Sequence, residues 1–285
     1  MSGKDSGAIE PTIKAIETMS QLRDWGSLKE GATVARVPLA QRIPVYGKSS
    51  WAGFDMGPWQ YDTWFDEKSQ GGHGQSDDGN RTAANVYNFS FWQYLDIFYY
   101  FGHQLLTIPP TVWTNAAHKN GVRSLGTLNL NWSESGEKFT EDDVVRFLSK
   151  QPTPQPQPKP IYLEEALTIL KDIAGYYRFD GYLFNYEEYN FTVRSGMTDI
   201  MSSLKEAGLT VVWYDAPLSE GYSNRLTEDA YPFFEAAGYF QANYEWGRPT
   251  STQIPQMITL SVPGKCCFST PEIGKKLSRR AIGSV

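Results

Sequence analysis

The stretch "YLEEALTILKDIAGYYRFDGYLFNYE", residues 162–187, decides the fold because it places a helix directly before a strand. Residues 162–177 carry apolar side chains at helical spacing and predict an amphipathic helix. Residues 180–187 form a short apolar run that ends in polar groups, which is typical of a buried strand. A helix that leads into a buried strand favours a β/α architecture, in which helices connect strands that pair in parallel.

The same alternation extends in both directions from this stretch. Apolar runs predict further strands at residues 94–102, 122–130, 209–217 and 239–246. Amphipathic or capped segments predict helices at residues 111–121, 140–150, 192–208 and 227–238. A chain of 285 residues can form a (β/α)8 TIM-type barrel, which needs about 250 residues. We therefore expect an α/β barrel, and since the rhythm fades after Trp246, its completeness at the C-terminal end stays open.

Composition and charge bear on the class of function. A net charge of −6 at pH 7 argues against a nucleic-acid-binding protein, which would be expected to carry a basic patch. Aromatic residues make up 14% of the chain, and this abundance has two interpretations. The rings could stack on the flat faces of sugars, or they could line the walls of a large barrel; composition alone does not choose between them.

The expected location is the cytoplasm. The adjacent Cys266 and Cys267 cannot build a disulfide framework, which suits a reducing compartment. Residues 1–10 lack the pattern of a signal peptide, and no apolar run approaches the roughly 20 residues that span a membrane. The three histidines lack the paired spacing of metal ligands, so no metal site is expected.

Polar side chains at the ends of the predicted strands are the candidates for chemistry. In a β/α barrel the active site lies at the C-terminal ends of the strands, and "FNYE" ends one of them. Strand alternation places Asn185 and Glu187 on one face. A partly desolvated carboxyl acts as a general acid near neutral pH, and substrate-assisted glycosidases pair one such acid with a group that holds the 2-acetamido group of the sugar. The alternative is that these are loop-edge polar residues that cap the next helix.

Four blocks in the same order carry a resemblance to a known family. They are "FWQYLDIFYYFGHQLLTIPPTVWTNAAHKNGVRSLGTLNLNW" (91–132), "FDGYLFNYEEY" (179–189), "VVWYDA" (211–216) and "NYEW" (243–246). Over roughly residues 34–247 the chain resembles glycoside hydrolase family 85, the cytosolic endo-β-N-acetylglucosaminidases. The resemblance implies a (β/α)8 catalytic domain that cleaves the GlcNAc-β-1,4-GlcNAc bond of the N-glycan core with retention of configuration, and no cofactor.

The resemblance also implies roles for individual residues. The family's Asn-x-Glu pair matches Asn185, which would orient the 2-acetamido group, and Glu187, which would act as acid and then as base. Tyr214 matches a tyrosine that would hydrogen-bond near the intermediate, and Trp246 an aromatic residue that could stack on sugar. The remaining predicted substrate contacts are Asn243, Asn131, Trp132 and Asp55. Asn131 stands where the family often carries an acidic residue, and Phe54, before Asp55, where it usually carries histidine.

The domain boundaries follow from the extent of the pattern. We expect an N-terminal extension at 1–33, a catalytic barrel at 34–250, and a divergent C-terminal tail at 251–285. The expected partners are N-glycans, glycopeptides or free oligosaccharides, with no nucleic acid and no membrane; nothing in the sequence predicts an oligomeric state.

Two other functions stay open. One is a truncated family member that binds glycan without catalysis or folds poorly, since the chain leaves the family pattern near Pro249. The other is a chitinase-like glycosidase. That family needs alternating aspartates before its acid, and the stretch "FDGYLFNYE" offers only Asp180, seven residues before Glu187.

Overall fold

The computed structural model describes residues 14–29, 34–41, 53–55, 92–150, 160–188, 190–214, 230–241 and 266–267. The strands are β1 (Lys14–Ile16), β2 (Gly53–Asp55), β3 (Ile97–Tyr99), β4 (Leu106–Ile108), β5 (Arg123–Asn129), β6 (Gly181–Asn185), β7 (Thr210–Tyr214), β8 (Gly238–Gln241) and β9 (Cys266–Cys267). The α-helices are α1 (Met19–Arg23), α2 (Thr111–Lys119), α3 (Glu141–Phe147), α4 (Leu163–Tyr177), α5 (Arg194–Glu206) and α6 (Tyr231–Ala237). Short 3-10 helices lie at Trp25–Lys29, Trp92–Tyr94, Trp132–Glu134 and Phe191–Val193.

The strands form one sheet that is mainly parallel. Neighbours pair in parallel in the order β2-β3-β5-β6-β7-β8-β9. Strand β4 pairs antiparallel with the C-terminal half of β5, at Thr127 and Leu128, and β1 pairs antiparallel with β4. A parallel sheet whose strands are joined by helices is the barrel-type α/β architecture expected from the sequence, and that prediction is confirmed.

Alternation along the strands separates an outer face from an inner face. The outer side chains, such as Phe184, Trp213 and Phe240, belong to the same buried cluster as the apolar faces of α4, α5 and α6. The inner cluster consists of strand residues only: Ile97, Tyr99, Leu125, Leu183, Val212, Tyr214 and Tyr239, with Phe101 packed against it. Each fully buried side chain of this size contributes roughly 1.5–3 kcal/mol. The inner face is therefore the barrel interior, and the helices lie outside.

The α4–β6 unit forms as the sequence predicts, with one difference at its end. Helix α4 ends at Arg178, which adopts a left-handed φ of 61°. Gly181 opens β6 with a φ of 151°, and a Cβ there would lie 1.8 Å from the carbonyl oxygen of Thr210, so only glycine fits. Residues 186–188 follow the last ladder position, so the strand predicted over 180–187 ends at Asn185.

Both ends of the chain contribute to this sheet. Ile16 and Leu22, from the predicted N-terminal extension, lie in the main core beside β4. In the predicted C-terminal tail, Cys266 and Cys267 pair in parallel with Phe240 and Gln241 of β8. The tail thus supplies a short strand after β8, at a position where the sequence pattern is weak.

Local capping also follows the sequence. Helix α3 begins after Thr140, whose hydroxyl accepts a hydrogen bond from the Asp143 amide while the Asp143 side chain binds back to the Thr140 amide. Among the described residues, no helix has the length and apolar character needed to cross a membrane.

Candidate active site

Four polar side chains lie level with one another at the C-terminal ends of neighbouring parallel strands. Asn129 of β5 pairs with Asn185 of β6, and Tyr214 of β7 pairs with Gln241 of β8. Phe184 pairs with Trp213, so the next positions, Asn185 and Tyr214, are also level. Asn185, Tyr214 and Gln241 follow a residue of the inner cluster by two positions, and Asn129 follows Leu125 by four, so alternation directs all four into the barrel. We call Asn129, Asn185, Tyr214 and Gln241 the polar layer.

Asn185 is the most deeply placed of the predicted catalytic residues. It is 1% exposed, and its backbone carbonyl accepts a hydrogen bond of 2.9 Å from the Leu130 amide. Its side-chain oxygen, Oδ1, is buried and has no hydrogen-bond partner in the described part of the chain. A buried acceptor of this kind costs free energy unless a ligand supplies a donor.

Glu187 lies two residues beyond the end of β6 and is half-buried. Tyr182, Phe184 and Tyr186 pack in the outer cluster. Its backbone amide donates a hydrogen bond of 2.6 Å to Oδ1 of Asn131. That positions 185 and 187 share a face stays a prediction, because Glu187 lies beyond the strand and its backbone is held by a loop contact.

Tyr214 ends β7 and is 9% exposed. It packs with Val212 and Tyr239 in the inner cluster, at the level of Asn185. Its backbone therefore lies beside that of Asn185 at the C-terminal end of the sheet.

Asn131 and Trp132, both predicted as substrate contacts, have protein neighbours. Asn131 is 2% exposed, and its backbone amide donates a hydrogen bond of 3.1 Å to Oδ1 of Asn129. The Trp132 ring lies 5.8 Å from that of Tyr186, centroid to centroid, and is half-buried. Burial raises the pKa of Tyr186, and the charges of Glu188 and Glu141 act in the same direction.

Three predicted substrate contacts are only partly open to description. Asp55 is the last residue of β2 and pairs with Tyr99 of β3, which places its backbone at the same end of the sheet. The Asp55 side chain, and all of Asn243 and Trp246, lie outside the described residues. Within the described ranges, no three histidine, cysteine or carboxylate side chains come together as a metal site would require.

Two histidines differ in role. His103, in the loop before β4, stands near Glu134 and Glu187; desolvation lowers its pKa, and these two carboxylates oppose the shift. His118 is buried at the opposite end of the sheet, with Nε2 2.8 Å from Oδ2 of Asp180 and Nδ1 2.7 Å from the Val37 carbonyl oxygen. His118 is therefore a structural residue.

The structure adds residues that the sequence interpretation missed. Asn129 and Gln241 complete the polar layer, and the buried Glu188 accepts a hydrogen bond of 2.7 Å from the Ser133 amide. Asn129 could have been found by counting alternation back from Asn131, since both would face the same side. No sequence signal indicates that β8 ends level with Tyr214.

Comparison with known proteins identifies the family. The profile described as Glycosyl hydrolase family 85 matches residues 68–263, more than half of the chain. The chain belongs to this family. The family resemblance noted in the sequence is thereby confirmed.

Individual proteins with similar sequences agree with this family assignment. The cytosolic endo-beta-N-acetylglucosaminidase of Gallus gallus is 32% identical over 262 residues, and the protein of that name from Danio rerio is 32% identical over 260 residues. These matches cover 85% of this chain and 32% of each relative, so the chain spans about a third of their length.

One solved structure has a similar fold. The glycoside hydrolase domain of Endo-D from Streptococcus pneumoniae R6 superposes with a TM-score of 0.63 at 24% identity, covering 89% of this chain and 40% of that one. At this identity the likeness shows a shared fold.

Proposed function

We propose that this chain is an endo-β-N-acetylglucosaminidase that hydrolyses the GlcNAc-β-1,4-GlcNAc bond of N-glycan cores through an oxazolinium intermediate. Asn185, Glu187 and Tyr214 carry the chemistry. The observation that supports this most is the buried Oδ1 of Asn185, which lacks a hydrogen-bond partner among the described residues and sits in the polar layer at the end of the barrel where such active sites lie.

The family supplies the class of substrate. Relatives from Gallus gallus, Danio rerio and Mus musculus bear the name cytosolic endo-beta-N-acetylglucosaminidase. By analogy, the substrates of this chain are N-glycans, glycopeptides or free oligosaccharides, and its location is the cytosol.

The first step needs a nucleophile from the substrate and an acid from the protein. The carbonyl oxygen of the 2-acetamido group attacks the anomeric carbon, and the bond from that carbon to the leaving oxygen breaks. Glu187 gives its proton to the leaving oxygen and becomes a carboxylate. The acetamido N–H donates to Oδ1 of Asn185, which orients the group and stabilises the positive charge that develops on the oxazolinium ring.

The second step returns the site to its starting state. Glu187, now a carboxylate, takes a proton from a water molecule, whose oxygen attacks the anomeric carbon and reopens the oxazolinium ring. Two successive attacks on opposite faces of the sugar give retention of configuration. Tyr214 hydrogen-bonds the ring during both steps; the level of its backbone beside Asn185 supports this role.

Glycan release tests this proposal. A high-mannose glycopeptide is incubated with the wild-type chain and with the Glu187→Gln and Glu206→Gln variants, and freed glycan is quantified by mass spectrometry. Glu206 is an exposed carboxylate at the end of α5 and serves as the matched control. We expect Glu187→Gln to lower kcat by about 10²–10⁴-fold, the usual contribution of a general acid–base, and Glu206→Gln to leave it unchanged.

Other outcomes point to the rival functions. Activity that survives Glu187→Gln removes the acid–base assignment. Release from chitin oligosaccharides without release from glycopeptide indicates a chitinase-like enzyme. Binding of a GlcNAc-thiazoline mimic without any hydrolysis by the wild-type chain indicates a glycan-binding protein.

A further inference from the structure

The loops that follow β5 and β6 are joined by two hydrogen bonds that run in opposite directions. Oδ1 of Asn131 accepts from the Glu187 amide at 2.6 Å, and Oε1 of Glu188 accepts from the Ser133 amide at 2.7 Å. Each loop thus offers one side chain and one backbone amide to the other. We call Asn131 and Glu188 the loop brace.

The loop brace is buried and is tied to the sheet. Asn131 is 2% exposed and Glu188 is 8% exposed. The Asn131 amide donates to Oδ1 of Asn129, the last residue of β5, at 3.1 Å. Asn129 is in turn the register partner of Asn185. A continuous set of contacts therefore runs from the polar layer to the backbone of Glu187.

Glu187 needs such support because the strand no longer holds it. The β5–β6 ladder ends with Asn129 and Asn185, extended by the bond from the Leu130 amide to the Asn185 carbonyl. Beyond that point the backbone amide of Glu187 donates to the side chain of Asn131 and not to the backbone of a neighbouring strand. A displacement of about 1 Å in a reacting group can cost on the order of 10²-fold in rate.

We propose that Asn131 and Glu188 are positioning residues that fix the backbone of Glu187 and so set the geometry of its carboxyl. This inference rests on the proposed function, in which Glu187 is the acid and base. Asn131 acts through Glu187 and not on the sugar, because its Oδ1 is already engaged and the residue is almost fully buried. The rate of the chemical step depends on it, and the affinity for substrate does not.

The test compares three variants of the full chain by steady-state glycan release. Asn131→Ala removes the acceptor, Asn131→Asp keeps an acceptor oxygen in its place, and Asn120→Ala is the matched control. Asn120 is exposed, and its side chain donates to the Ala116 carbonyl near the end of α2. We expect Asn131→Ala to lower kcat on the order of 10²-fold with KM unchanged, Asn131→Asp to recover most of kcat, and Asn120→Ala to match wild type.

A second readout does not depend on activity. Hydrogen exchange of the Glu187 backbone amide, followed by NMR, is expected to be about fivefold faster in Asn131→Ala than in wild type, since a hydrogen bond of this kind is worth roughly 1 kcal/mol. If Asn131→Ala fails to fold, Glu188→Ala provides the same measurement at the Ser133 amide.

The outcomes separate the loop brace from the proposed function. A rise in KM with kcat unchanged makes Asn131 a sugar contact and overturns the inference, as does unchanged exchange of the amide that loses its acceptor. Faster exchange in a chain whose wild type releases no glycan upholds the brace as a fixed contact but overturns the proposed function and, with it, the catalytic part of this inference.

Discussion

Replacing Asn185 with leucine is expected to stabilise the protein while it removes activity. Asn185 is 1% exposed, and its Oδ1 has no hydrogen-bond partner among the described residues. Leucine has the same branching and the same number of side-chain heavy atoms but no polar group. Removing an unsatisfied buried acceptor recovers about 1–3 kcal/mol, because that group loses its hydration on folding and gains nothing in return.

The expected shift in melting temperature follows from the size of the chain. Unfolding entropy is about 2.1 cal/mol/K per residue, which gives roughly 0.6 kcal/mol/K for 285 residues. The gain in free energy of unfolding then raises Tm by about 2–5 °C. Differential scanning calorimetry without ligand measures this shift, and a glycopeptide assay on the same sample shows the loss of glycan release.

Tyr182→Phe is the matched control, because it removes a buried polar group that does have a partner. The Tyr182 hydroxyl donates to the Leu170 carbonyl at 2.7 Å, and the residue is fully buried. Its loss is expected to lower the free energy of unfolding by about 1 kcal/mol and Tm by about 2 °C. If Asn185→Leu lowers Tm as Tyr182→Phe does, the interpretation of Oδ1 as a vacant acceptor is refuted.

Three further predictions concern the scaffold. Burial of His118 lowers its pKa by disfavouring the charged ring. Three interactions outweigh burial and raise the pKa above 6.5: the hydrogen bond to Asp180, the charge of Asp180, and the hydrogen bond to the Val37 carbonyl. The stability that protonated His118 contributes is present below pH 6.5 and is lost as pH rises through the folded pKa. The urea midpoint should therefore fall more between pH 5.5 and pH 8.5 in wild type than in His118→Gln. Equal falls in the two proteins would contradict this. Gly181→Ala should prevent folding, since its Cβ would meet a carbonyl oxygen at 1.8 Å. Gly175→Ala, in open space within α4, should add about 0.5–1 kcal/mol in urea denaturation, and a loss there would contradict the helix-propensity argument.

Local patterns made much of the scaffold predictable. The apolar spacing of residues 162–177 predicts α4, and the capped segment at 140–150 predicts α3. Both depend on interactions between residues close in sequence, which the sequence displays directly. The alternation of β5, β6, β7 and β8 with their helices was predictable for the same reason, whereas the short antiparallel strands β1 and β4 were not predicted.

The site was predictable only in part, because its geometry depends on pairing between distant segments. Alternation indicates that Asn185 and Glu187 face the same way, but it does not show that β6 ends between them. That end is set by the register with Asn129, and the contact that replaces the ladder comes from Asn131. Strand register and loop-to-loop contacts join residues far apart in sequence and leave no periodic signal.

Binding of a protonated GlcNAc-thiazoline, a mimic of the oxazolinium intermediate, tests most directly whether the site at the polar layer binds the N-acetyl group beside Asn185. Isothermal titration calorimetry compares wild type with Asn185→Leu, and Asn120→Ala serves as the control. We predict that wild type and the control bind equally and that Asn185→Leu binds at least about tenfold more weakly, as the loss of a charge-assisted hydrogen bond requires. Absence of binding by the wild-type chain, or equal binding by all three proteins, would contradict the account.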